Sequence, residues 1–181
     1  KNYGKNIPKQ AGLGNYDYDY ASEDEIENVR YQLSMMIFRV PKMKDELKLL
    51  MPELNNKKIG DVEKHVVNFC KKNKLYDLNK LAEIRALNKK DLVPICPLCL
   101  EKLNAKSFFE IAPQDEGREE EDNTQSEIVL MHIEALTPGK FNHHTYNLGW
   151  GHKHCNTIQG QYSINETLNN IKRILKNQPG N

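Results

Sequence analysis

Two short spacings in the C-terminal half have the residue types that chemistry needs. Cys96-x-x-Cys99 sets two thiols one tight turn apart, the geometry of half a zinc site. His152-x-x-Cys155 repeats the same two-residue gap later in the chain. Together they offer three sulfurs and one imidazole, a recurrent closed tetrahedral set for structural Zn2+. His154 could take the place of His152, but only His152 reproduces the gap of the first half-site. The competing reading is an incidental pair of reduced thiols with an unrelated later cysteine. It requires two matched half-sites to arise by accident. A zinc site here would supply folding free energy to a segment with few apolar residues. Cys70, by contrast, lies on an apolar stripe with no ligand pair beside it and reads as a small buried hydrophobe.

A second constellation lies between and beyond these ligands. It reads Met131-His-Ile-Glu-Ala-Leu-Thr-Pro-Gly139, then Tyr146-Asn-Leu148, then His152-x-x-Cys-Asn156, then Gln159-Gly160. In this order it resembles the HNH, or ββα-metal, endonucleases, and in size a small type II restriction enzyme. The matching positions are His132, Ile133, Leu136, Gly139, Asn147, Leu148, Cys155, Asn156 and Gly160, about a third of the chain, with His152 where the family often has cysteine. The resemblance implies a metal-dependent nuclease that hydrolyses phosphodiester bonds in duplex DNA. It implies that His132 is the general base, that Asn156 gives an oxygen to a catalytic Mg2+ or similar cation, and that Asn147 braces the loop and orients His132.

One position departs from the pattern. Many relatives carry an aspartate or another metal ligand before the base histidine, and here Met131 stands there. A thioether is too soft to hold Mg2+. Three readings stay open: Asn156 serves as sole protein ligand, or His143, His144 or Glu134 fills the gap, or the module binds nucleic acid without cutting it. On the first reading, aspartate at 131 restores the commoner arrangement and is tolerated or tightens Mg2+ binding.

The elements that must position these residues follow from periodicity. Residues 1–21 hold three glycines and alternating Tyr and Asp, which reads as an extended or partly disordered arm. Ser22 and Glu25 make a capping-box signature, after which Ile26, Val29, Leu33, Met36, Ile37 and Val40 follow at helical spacing to Pro41. Further helices are predicted over 42–51, over 61–72 with Val62, Val66, Phe69 and Cys70 on one face, and over 78–89. Met35, Met36, Met43 and Met51 read as core. Strands are predicted over 108–111 and 128–133, and a helix from about 156 into an amphipathic stretch with Ile164, Leu168, Ile171 and Leu175. The expected fold class is therefore α+β. A helical DNA-binding or dimerisation region over 22–90 precedes a zinc-stapled ββα-metal module over 91–181 with a C-terminal helix.

Composition sets the remaining bounds. The chain has 181 residues, 28% of them charged and 38% hydrophobic, ordinary for a soluble globular protein. No run is apolar enough for a membrane span or a signal peptide. Four cysteines are too few for a disulfide-rich secreted scaffold, which points to a reducing, intracellular compartment such as the cytoplasm. The net charge of +1 hides an asymmetry. Of 26 Lys+Arg and 25 Asp+Glu, residues 91–181 hold 8 and 12, leaving 18 and 13 in residues 1–90. The basic pairs at 57–58, 71–72 and 89–90 suit phosphate backbone, although exposed lysines are common on any helix. The acidic run over 115–122 is a self-repelling solvated loop rather than a carboxylate metal cluster. The expected partners are double-stranded DNA and a second copy of the chain, each subunit of the homodimer cutting one strand. The expected role is restriction. A homing or phage endonuclease is the nearest alternative, and an inactive zinc-containing nucleic-acid-binding module is the alternative from another class.

Overall fold

A computed structural model describes residues 22–53, 56–110, 126–137 and 142–178. The N-terminal arm, the acidic run over 115–122, Gly139 and the end of the predicted 108–111 strand lie outside these. The described elements are α1 (Glu23–Phe38), α2 (Met43–Leu50), α3 (Asn56–Lys72), α4 (Leu78–Glu83), a 3-10 turn (Lys106–Phe108), β1 (Ile128–His132), β2 (Leu148–His152), α5 (Lys153–Gln159) and α6 (Ile164–Lys176).

Ser22 caps α1 as its sequence predicts, accepting the Glu25 N–H. The reciprocal half of the capping box is absent, because Glu25 Oε1 instead accepts the Thr145 N–H at 2.6 Å. A residue that the local signature assigns to a helix end is thus used to tie that helix to a loop 120 residues away. Val29, Leu33 and Met36 are buried on α1, together with Met35 and the polar Gln32. Helix α3 begins five residues earlier than predicted and is rotated from its predicted face. Ile59, Val66 and Cys70 are buried, but Val62 is exposed, and Glu63 faces α2 to pair with Lys44 at 2.6 Å. Met51 is likewise exposed at the end of α2.

Helix α4 stops at Glu83, well short of 89. The Ala86 N–H bonds the Leu81 carbonyl and the Arg85 N–H bonds the Ala82 carbonyl, a Schellman closure with Arg85 in the left-handed region. Glycine usually marks such an ending, so the sequence carried no stop signal. The chain then turns back, Leu87 bridging Pro94 and Ile95 bridging Lys102, which builds a small ribbon around the Cys96–Cys99 turn. Where a strand was predicted from 108, the chain forms the 3-10 turn, started by Asn104 Oδ1 accepting the Lys106 N–H at 3.0 Å.

β1 and β2 form an antiparallel pair with Met131 opposite Gly149 and His132 opposite Leu148. β2 runs directly into α5. Leu148 belongs to the cluster made by Val29, Leu33, Met35, Met36, Leu81 and Leu87, and Trp150 donates its indole N–H to the Leu33 carbonyl at 3.1 Å. The two-stranded sheet is therefore built onto α1. A second cluster contains Cys96, Ile128, Met131, Cys155 and Ile164, and Trp150 packs against both.

Candidate active site

The metal-ligating residues converge. One donor atom from each of Cys96, Cys99, His152 and Cys155 lies within 4.8 Å of all the others, and Cys99 Sγ stands 3.4 Å from His152 Nδ1. Tetrahedral zinc at ordinary bond lengths separates its ligands by about 3.5–3.8 Å, so the donors and their spacing fit that ion. His154 stays outside the group and stacks on His152, with ring centroids 5.2 Å apart. Burial, and then the neighbouring sulfurs, push the Cys155 and Cys99 thiols up, while burial and His154 pull His152 down. Thiols this crowded ionise together only around a shared cation.

One feature of β2 and one of the Cys96–Cys99 turn make the approach possible. A Cβ on Gly151 would lie 2.1 Å from Met131 Sδ and 3.3 Å from Cys96 Sγ, so any larger residue would displace the buried Met131 side chain. The turn side is set by Leu100 in the left-handed region, which returns the chain so that the Cys96 N–H bonds the Glu101 carbonyl at 2.9 Å.

His132 occupies the opposite face of β1 from Met131, as strand alternation requires. It lines a cleft of about 240 Å³ with Leu136, Asn156, Gln159, Gly160 and Tyr162. Asn156 lies inside α5 rather than opening it, because the helix begins at Lys153. Cys155 faces the sulfur cluster, and the next residue, about 100° further round the helix, faces the cleft. The Asn156 side chain has no hydrogen-bond partner among the described residues, which leaves its oxygen available to a ligand. Gly160 ends α5 with φ +58, a conformation that suits glycine.

Asn147 is 2% exposed and its amide is fully used. Its oxygen accepts the Glu134 N–H at 2.7 Å, and its nitrogen donates to the Glu134 carbonyl at 3.2 Å and the Asn142 carbonyl at 2.5 Å. It clamps the backbone after His132 to the loop before β2 and does not touch the His132 ring. Gln159 adds a second clamp, its Nε2 donating to the His132 carbonyl at 2.6 Å and the Tyr162 carbonyl at 2.9 Å.

The ring of His132 meets a histidine. His132 Nε2 lies 3.2 Å from His143 Nδ1. Burial and then His143 pull His132 down to about 4. His143 is also lowered by burial, against the charge of Glu25. His144 points away, its Nδ1 against the Thr145 carbonyl, and Glu134 contributes its backbone to the Asn147 clamp. The sequence reading named His143 without a partner and missed Glu25 and Gln32, whose Oε1 accepts the Tyr146 N–H at 2.9 Å. A polar residue on an apolar helical stripe was the available signal for Gln32.

Met131 requires a correction. It is fully buried among Cys96, Ile128 and Cys155, so an aspartate there would enter the core and not the cleft. The expectation that it restores a Mg2+ ligand fails because β1 turns that side chain away from His132.

The sequence model described as BstXI restriction endonuclease matches residues 2–153. The chain belongs to the BstXI restriction endonuclease family. The matched range ends before Cys155 and Asn156. A solved structure described as "Crystal structure of a type II restriction endonuclease" is similar at 15% identity and a TM-score of 0.47. The similarity covers 87% of this chain and 53% of that one, so the chain spans about half of that protein's length. No curated protein matches. None of the described helices is long and apolar enough to cross a membrane.

Proposed function

We propose that this chain is a metal-dependent, site-specific DNA endonuclease of restriction type that cuts by the HNH mechanism. The observation that carries the reading is the cleft shared by His132 and Asn156, formed by two antiparallel strands and the helix that follows them. Family membership is the independent support for restriction.

In this reading Cys96, Cys99, His152 and Cys155 hold one structural Zn2+ and anchor β2 and α5 to the Cys96–Cys99 turn. Asn156 offers its amide oxygen to a hard divalent cation. Such a cation, when bound, neutralises charge on the scissile phosphate and the leaving 3′ oxygen. His132 takes a proton from the attacking water. Burial keeps the imidazole unprotonated near neutral pH, as a base must be. Asn147 and Gln159 hold the backbone that follows the base. The helices over 22–90, with their surplus of basic side chains, would hold DNA backbone or a second subunit beside the nuclease residues over 91–181. The expected assembly is a homodimer on duplex DNA.

The test is cleavage of plasmid DNA by purified protein with Mg2+, with and without a chelator. Discrete fragments that vanish on chelation are expected, and His132→Ala should abolish them while leaving DNA binding near the parent's. Intact plasmid across divalent cations, with DNA still bound, would leave a binding module in place of an enzyme.

A further inference from the structure

We propose that His143 is a positioning residue for His132. Its Nδ1 accepts a hydrogen bond from His132 Nε2–H and so leaves His132 Nδ1 as the nitrogen with a free lone pair. The inference rests on the reading of His132 as the general base and concerns how that base is prepared.

The two ring nitrogens are 3.2 Å apart, with the rings tilted at 55°. A neutral imidazole has one N–H and one bare nitrogen, so one of these rings must donate to the other. If His143 donated, His132 would carry its remaining proton on Nδ1 and could not accept one there. The base role of His132 requires the other arrangement, in which His143 accepts. Glu25 places a negative charge near it, opposing burial and the charge of His144. With Nδ1 turned to His132, His143 accepts in the tautomer that carries its proton on Nε2. Burial favours the neutral form of both rings, as one donor and one acceptor require.

The contact is also held from outside. The loop that carries His143 is fixed by the Asn147 N–H on the His144 carbonyl at 3.2 Å and by Asn147 Nδ2 on the Asn142 carbonyl. Two residues of α1 complete the hold, Glu25 on the Thr145 N–H and Gln32 on the Tyr146 N–H. A helix in the N-terminal region therefore sets the position of the residue that orients the base. During the reaction the water proton passes to His132 Nδ1, and the hydroxide oxygen bonds to phosphorus as the bond to the 3′ oxygen breaks. His132 then carries both N–H groups, with Nε2–H still donated to the neutral His143 ring.

The test combines a direct reading of the tautomer with kinetics. Long-range 15N–1H spectra of the intact protein should show His132 protonated on Nε2, and a ring protonated on Nδ1 would overturn the proposal. His143→Ala should lower kcat about 10–100-fold, the usual size for loss of an orienting partner, with KM and the Mg2+ requirement unchanged. His143→Asn should recover most of that loss, because an amide oxygen falls near the position of Nδ1, and should preserve the Nε2–H signal. Recovery of His143→Ala by raised Mg2+ alone would make His143 a cation ligand and overturn positioning. A parental rate in His143→Ala beside an inactive His132→Ala would do the same while leaving the base assignment intact. A parental rate in His132→Ala would instead remove the base, whatever the tautomer.

Discussion

Aspartate in place of Met131 tests which way β1 faces. Met131 is fully buried in the cluster that contains Cys96 and Cys155. Removing its side chain from that cluster forfeits about 1.5–3 kcal/mol of apolar burial. The new carboxyl would have to stay protonated to remain in place, and holding a group of ordinary pKa near 3.9 neutral at pH 7.5 costs about 5 kcal/mol. The sum, about 6–8 kcal/mol, is comparable with the whole stability of a typical domain, about 5–15 kcal/mol. Thiolates nearby would add repulsion to any ionised fraction. Met131→Asp should therefore fail to accumulate as folded protein, or melt far below the parent by circular dichroism. Met131→Leu, nearly equal in volume, should lose less than about 1.5 kcal/mol and keep its activity. The cleavage assay over a Mg2+ titration supplies the refutation. A Met131→Asp protein that melts with the parent and needs less Mg2+ would put residue 131 in the cleft and the strand facing the opposite way.

Three further outcomes are expected. Protein purified without chelator should carry about one Zn2+ per chain by metal analysis, and Cys96→Ser should lower the melting temperature before it alters chemistry; less than about half an equivalent in the parent would remove the zinc assignment. Asn147→Asp keeps the acceptor for the Glu134 N–H but sets a carboxylate against the Glu134 and Asn142 carbonyls, so its folded pKa is raised. Its stability should improve as pH falls through that raised value and worsen towards pH 8, with about 1–3 kcal/mol lost there by denaturant titration; a flat profile would mean the clamp is open in solution. Burial lowers His132 to about 4, so cleavage should persist at pH 6, where an ordinary histidine is mostly protonated. The same shift makes folding stability fall as pH drops from the unfolded value near 6.5 towards 4, and an acid limb of the rate at or above 6.5 would show an unburied base.

Much of the molecule could be read along the chain. Helical periodicity located α1 and α3, because a buried face repeats every turn, and the Ser22 cap is a contact three residues long. Ends were less legible. The Schellman closure at Arg85 uses a residue that gives no stop signal, so α4 was predicted too long. The buried face of α3 is set by Ile59, Val66 and Cys70 packing across the fold, and Val62, apolar but exposed, shows that periodicity within α3 does not fix it.

For the site, the sequence alone determined the ligand types, their paired two-residue gaps, and the order of His132, Asn147 and Asn156. These depend on side-chain chemistry and on spacings within single turns. Tertiary structure decided everything that depends on direction. It placed His132 and Asn156 on one cleft while burying Met131 behind them, because strand alternation and the turn of α5 send adjacent residues to opposite sides. It brought His143 against His132 and Glu25 against the loop that carries it, contacts that span 11 and 120 residues. Such partners leave no local pattern. They meet because Leu148, Tyr146 and Trp150 pack the two strands onto α1.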